Sequence, residues 1–181
     1  MTLAALLDRS GTSIGEVTGH LAARSHAEGV DECLALTPPR QRRLWELASA
    51  ADLPPGELVA DTTSAFAGRN SLRIFSRFEK WFARQGGSTF GFNRHVLRPL
   101  IGPGYFTVRN ERPGKLVFDY RELPAQAPRT WPAVRSNSDF FARPVYGDLL
   151  DRVAWVSSDV LIGAAFRRDT PLNSYFVLVR T

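Results

Sequence analysis

Residues 149–181 read LLDRVAWVSSDVLIGAAFRRDTPLNSYFVLVRT. Three apolar runs stand in this stretch: Leu149–Val156, Val160–Arg167 and Ser174–Arg180. Ser157-Ser158-Asp159 separates the first two, and Asp169-Thr170-Pro171-Leu172-Asn173 separates the last two. Short apolar runs bounded by such residues predict strands. Links this short join antiparallel neighbours. Tyr175-Phe176-Val177-Leu178-Val179 is apolar at every position. A strand with one wet face alternates. This one therefore predicts burial on both faces, between a sheet interior and a covering layer of helices.

The same grammar extends upstream. Thr89–Asn93 is one run, and Tyr105–Asn110 follows the break Gly102-Pro103-Gly104. Glu111-Arg112-Pro113-Gly114 turns it into Lys115–Arg121 as a hairpin. After a proline-rich loop from Leu123 to Pro132, Phe140–Tyr146 reads as a further strand. Such a series must hide one apolar face and protect two edges, and closure into a small barrel does both. No strand–helix–strand alternation appears, which excludes a doubly wound fold. The predicted class is α+β, mainly antiparallel β: a β-barrel, or a strongly curved open sheet, with an N-terminal helical extension.

Three helices are predicted in that extension. Ser13-Ile14-Gly15-Glu16 is a capping box followed by Val17 and Leu21 at helical spacing. A second helix is read over Val30–Leu36. Thr37-Pro38-Pro39 opens a third, with Leu44, Leu47, Ala48 and Ala51 on one face, and Leu53-Pro54-Pro55-Gly56 ends it. The division is thus a helical extension over 1–56 and a barrel domain over 57–181. Residues 57–68 read as a connection. Residues 70–84 read as a helix, because strand alternation through Leu72, Ile74, Phe78 and Phe82 breaks at Ser76 and Lys80.

Composition bounds the function classes. With 181 residues and 44% hydrophobic content the chain can build a core without disulfide or metal support. The single cysteine, Cys33, excludes an intrachain disulfide and a thiolate zinc site. No stretch approaches a membrane-spanning helix, and the short apolar N-terminal stretch does not form a secretory signal, so a cytoplasmic protein is expected. The net charge is +5, and 21 of 23 cations are arginine. Between Arg69 and Arg112 nine cations face two acids, leaving that segment at +7 and the rest of the chain at −2.

Gly102-Pro103-Gly104-Tyr105-Phe106, the meander from Tyr146 to Thr181 and the closing Asn173-Ser174-Tyr175-Phe176-Val177-Leu178 together resemble a calycin, the superfamily of lipocalins and fatty-acid-binding proteins. The resemblance spans residues 66–181. The lipocalin G-x-W signature is missing, since Phe66-Ala67-Gly68-Arg69-Asn70 holds no tryptophan. What the resemblance implies is a barrel that holds a small hydrophobic or amphipathic ligand. It implies no catalytic residue.

The leading expectation is such a binding protein, for a ligand with an anionic end. Aromatic residues would take the apolar body while arginine pairs with a carboxylate or phosphate. The candidate ligand-binding residues are Arg69, Asn70, Arg73, Asn93, Arg94, Tyr105 and Tyr146. The alternative is a cofactor-independent isomerase, cyclase or dehydratase in the same cavity, with His95, Asp119 and Tyr120 moving protons. Asp119 shares strand parity with Val117 and is expected to point inward with its pKa raised by burial. No cofactor is expected; His95 as an axial haem ligand is the alternative. No metal motif is present, since His20 and His26 fall on different helix faces. Helix-turn-helix, RNP and zinc-finger patterns are absent, which weighs against nucleic acid. A third class is an interaction protein, possible as a homo-oligomer, packing through Leu44, Trp45 and Leu47. Phosphate-loop and G-x-S-x-G patterns are absent as well, which leaves nucleotide hydrolysis and serine acyl transfer without support.

Overall fold

Eight antiparallel strands close on themselves, each pairing with the next and the last returning to the first. They are β1 (Thr63–Asn70), β2 (Arg77–Gln85), β3 (Ser88–Arg94), β4 (Phe106–Arg112), β5 (Lys115–Asp119), β6 (Leu149–Trp155), β7 (Val160–Arg167) and β8 (Thr170–Arg180). The computed structural model describes residues 1–72, 76–139 and 141–181. Four helices precede the barrel: α1 (Leu3–Asp8), α2 (Ile14–Ala22), α3 (His26–Leu34) and α4 (Pro38–Ala50). Two single-turn helices, α5 (Arg98–Ile101) and α6 (Arg143–Tyr146), sit in connections at one barrel end. The mainly antiparallel β class with an N-terminal helical extension is therefore observed, in its closed form.

Strand parity sorts the side chains into two cores. Inside the barrel lie Phe66, Phe82, Phe106, Phe118, Val153, Trp155, Leu161, Phe176 and Leu178. Outside, Ala154, Ile162, Val177 and Val179 pack beneath Leu3, Leu6, Val17, Leu36 and Leu44 of the helical layer. Strand β8 thus contributes to both cores, as its continuous apolar run predicts.

Local chemistry fixes the helix starts. Ser13 and Glu16 form the predicted capping box, and Pro38 occupies the first turn of α4. A second capping box, Ser25 with Glu28, starts α3 at His26, four residues before the predicted Val30. Ser25→Ala removes the hydroxyl that accepts from the Glu28 amide. It is expected to cost about 1 kcal/mol in chemical denaturation; an unchanged midpoint would show that packing on β8 alone fixes the start of α3. At the other end of α4, the Lys115 ammonium donates to the carbonyls of Ala48 and Ala51, tying that helix C-terminus to the barrel.

Three expectations need correction. Of the predicted helix over 70–84, residues 77–84 belong to β2, with Phe78, Lys80 and Phe82 on the inner row, and residues 73–75 lie outside the described residues. The apparent break at Lys80 is a buried lysine within a true alternation. Its partner β1 was read as a connection, because Thr63–Asn70 carries one large apolar residue, Phe66. Its small residues make room instead: the Phe78 ring lies over Gly68. Finally, of the strand predicted over Phe140–Tyr146, Phe140 lies outside the described residues and Arg143–Tyr146 is helix α6, with Pro144 in its first turn, where a missing N–H costs nothing.

Candidate functional site

The barrel interior holds one charged cluster. Lys80 is 2% exposed and its ammonium donates to Asn93 Oδ1 at 2.8 Å, Tyr120 Oη at 2.5 Å and Asp151 Oδ2 at 3.3 Å. Tyr120 Oη also lies 3.1 Å from Asp151 Oδ2. Asn93 turns its Nδ2 to the Gly104 carbonyl at 3.1 Å and to Tyr120 Oη at 3.2 Å. All three ammonium protons therefore have acceptors. Around them stand aromatic rings, with Lys80 Nζ 4.7 Å from the centroid of Phe106, 5.2 Å from Phe176 and 5.5 Å from Phe118.

Register brings these residues together. Lys80 lies opposite Asn93 across β2 and β3, while Asp151 is paired with Phe118 across β5 and β6. Below the cluster, Phe66, Phe82, Phe106 and Phe118 fill the barrel, with ring centroids 5.0–5.7 Å apart. Above it, Tyr146 stacks on Tyr120 at 5.4 Å and receives His95 Nε2 at 2.9 Å from its hydroxyl oxygen. His95 is partly exposed. A polar path thus runs from the surface through His95, Tyr146 and Asn93 to Lys80.

The ionisation of the pair is poised. Burial pushes the Lys80 pKa down, against the attraction of Asp151. Burial likewise pushes Asp151 up, against Lys80 and Tyr120. Tyr120 is raised well above the usual phenol value by burial and by the neighbouring Asp151. Burial and the charges of Lys80 and Arg98 push the His95 pKa down, favouring its neutral form.

Only some of the sequence candidates meet here. Asn93, Tyr120, His95 and Tyr146 line the cluster. Asp119 does not: Leu116, Phe118 and Tyr120 occupy the inner row of β5, and Asp119 faces outward. It is bound by Arg109 and Arg121, each at 2.7 Å. Its pKa is lowered, the arginine and backbone hydrogen bonds outweighing burial, which corrects the expected rise. Arg69 donates to the Leu34 carbonyl beneath the helices, and Arg94 pairs with Glu79 over Trp81 on the outer wall. Tyr105 also lies outside, its ring tilted against Phe92 and its hydroxyl donating to the Pro132 carbonyl. Asn70 accepts from the Leu72 amide. Arg73 lies outside the described residues. The Nε2 of His95 is engaged by Tyr146, so the ring as placed does not present that nitrogen to a haem iron. Cys33 is buried, which pushes its thiol up to about 12.

Lys80 and Asp151 were missed. Each stands in the inner row of an otherwise apolar alternation, Phe78-Lys80-Phe82 and Leu149-Asp151-Val153-Trp155. A charge in that row is the signal that could have found them. The surface also carries two open grooves toward the opposite end, of ≈ 570 and ≈ 760 Å³. Neither reaches the Lys80 cluster. Among the described residues no group of three His, Cys, Asp or Glu side chains is placed to hold a metal.

Comparison of the chain with family models, with curated proteins and with solved structures gave no match in any of the three. The fold and the site therefore define the class as far as it goes: an eight-stranded antiparallel barrel with a buried lysine–aspartate pair.

Proposed function

We propose that the barrel binds a small amphipathic molecule with an anionic head, the head at Lys80 and the apolar body toward the rim. The observation that carries this reading is Lys80 itself, a cation inside a wall of phenyl rings. Burying an ion pair seldom gains stability over apolar residues of similar volume. A charge retained at such a cost points to a role beyond folding. The calycin-like reading of the sequence leads to the same class of ligand. The anionic end is moved from the arginines to Lys80, with Asn93, Tyr120 and Tyr146 beside it.

In this mechanism the ligand carboxylate takes the place of the Asp151 carboxylate at the ammonium. Asp151, already pushed toward its neutral form, takes up one proton as it is displaced. Binding is then coupled to proton uptake and weakens as pH rises. The test is titration calorimetry with a series of fatty acids and the matching alcohols, in buffers of different ionisation enthalpy. Expected are a preference for the acids and proton uptake near one. Lys80→Met combined with Asp151→Val should lose that preference by roughly thirtyfold or more, as for a truncated buried charge pair. Equal affinity for acid and alcohol in the unaltered protein would overturn the reading.

The opposed shifts of Lys80 and Asp151 favour one second reading. Burial moves both groups toward neutrality, the range in which a general acid or base works best. On this reading Asp151, rather than Asp119, serves as acid or base in an isomerase, cyclase or dehydratase, with Tyr120 beside it. A bell-shaped pH–rate profile abolished by Asp151→Asn would distinguish it.

A further inference from the structure

In an antiparallel barrel, alternate connections share one end. The β1–β2, β3–β4, β5–β6 and β7–β8 connections all lie at the end to which His95 and Tyr146 open. Hydrogen bonds tie them together there: Ser71 N to the Tyr175 carbonyl, and Arg167 to the Pro144 carbonyl. Among the described residues, the large apolar side chains that stand exposed are concentrated in these segments. Val96 is 83% exposed, Leu100 59%, Leu72 54%, and Val145 and Leu172 40% each. Five exposed aliphatic side chains thus stand at one barrel end, four in its connections and Leu172 at the start of β8, an apolar end of the kind that marks an interaction surface.

The cations of the rim accompany them. Arg98 shares α5 with Leu100, and Arg143 shares α6 with Val145. Arg77 opens β2 beside them. Among the described residues none of these three has a carboxylate within ion-pair range, whereas Arg94 is held by Glu79 and Arg168 by Asp148. Exposed aliphatic groups interleaved with unpaired arginines suit an anionic lipid surface, where the former enter the interface and the latter meet headgroups. A symmetric contact with a second copy would set this basic rim against itself. The barrel wall is unsuited to lipid: its strands are covered by helices on one side and carry outward ion pairs such as Asp119–Arg121 on another. Among the described residues no helix is long and apolar enough to cross a membrane.

The geometry points to this rim as a docking surface for anionic bilayers, held end-on through Val96, Leu100 and Val145 with Arg98 and Arg143. The inference stands on the rim alone and does not depend on what the barrel holds. The full chain is tested by flotation with vesicles of phosphatidylcholine, and of phosphatidylcholine mixed with phosphatidylglycerol. Expected is flotation with the anionic vesicles only, weakened by added salt. Val96→Ser with Leu100→Ser abolishes it. Arg98→Gln and Arg143→Gln each weaken it about fivefold, the contribution of one arginine near an anionic surface. Val96, Leu100 and Arg143 are exposed and Arg98 is partly exposed, so an unchanged thermal midpoint verifies the fold of each variant. The inference is overturned if the unaltered protein floats with neither vesicle, or if flotation survives the double serine change. It is also overturned if that change instead dissolves a dimer seen by light scattering, which would assign the rim to a second copy.

Discussion

Lys80→Met and Asp151→Val are each expected to lower stability by about 3–5 kcal/mol, while the double variant stays within about 1 kcal/mol of the unaltered protein or exceeds it. Each single change strands a charge that is buried in the barrel. Against a total of roughly 5–15 kcal/mol for a domain, either loss is large. The double change strands none: Tyr120 Oη and Asn93 Nδ2 remain bonded to each other at 3.2 Å, and Asn93 keeps the Gly104 carbonyl. The two single variants should also respond oppositely to pH. In Lys80→Met, the remaining Asp151 has its pKa raised by burial and holds a proton that the unfolded chain has lost. Its destabilisation therefore shrinks as pH falls and grows as pH rises through the folded pKa. In Asp151→Val, Lys80 has its pKa lowered by burial, so the folded state sheds a proton that the unfolded chain keeps. Its destabilisation shrinks as pH rises. Urea titrations across pH, each variant measured against the unaltered protein, provide the comparison. Additive losses in the double variant would show that packing volume, and not charge pairing, governs this part of the core.

Gly104→Ala is the second change with a large expected effect. Gly104 has φ +57°, and a Cβ there would lie 2.3 Å from the Tyr146 ring. Left-handed backbone costs a non-glycine residue roughly 1–2 kcal/mol. Moving the ring adds about 1–3 kcal/mol of overpacking. The ring cannot give way freely, because it is stacked on Tyr120 and bonded to His95. The expected loss is therefore about 2–5 kcal/mol, with a change in the tyrosine near-ultraviolet circular dichroism. Gly87→Ala is the control: at φ +81° it meets open space and should cost only the backbone part. Equal losses in the two variants would show that Tyr146 adjusts without resistance.

Much of the barrel was legible because its last three strands are near-continuous apolar runs joined by short turns. Strand β8 announced its two buried faces by having no polar residue between Tyr175 and Val179. Elements were lost where a buried charge or small side-chain volume disturbed the pattern. Lys80 interrupts the apolar count of β2, and so the residue at the centre of the site also concealed its strand. The small residues of β1 carry shape information that hydropathy does not record. Asp119 shares its parity with Val117, and that row faces outward because Phe118 and Tyr120 hold the inner one. Asn93 and Tyr120 are drawn together by the register of the barrel, and His95 and Tyr146 by the connections at that end, which no local spacing encodes.

The chain contains two lysines, and both are enclosed, Lys80 at 2% and Lys115 at 4% exposure. Surface charge is left to arginine, whose guanidinium does not react as an amine nucleophile at neutral pH. In the folded protein, amine-directed reagents such as activated esters thus find no open side-chain amine. Acylation of Lys115 would report release of the α4 terminus, and acylation of Lys80 would report opening of the barrel. The rates of those two reactions, read separately by peptide mass, would rank the openings of the helical layer and the barrel in a single experiment, with no label introduced by mutation.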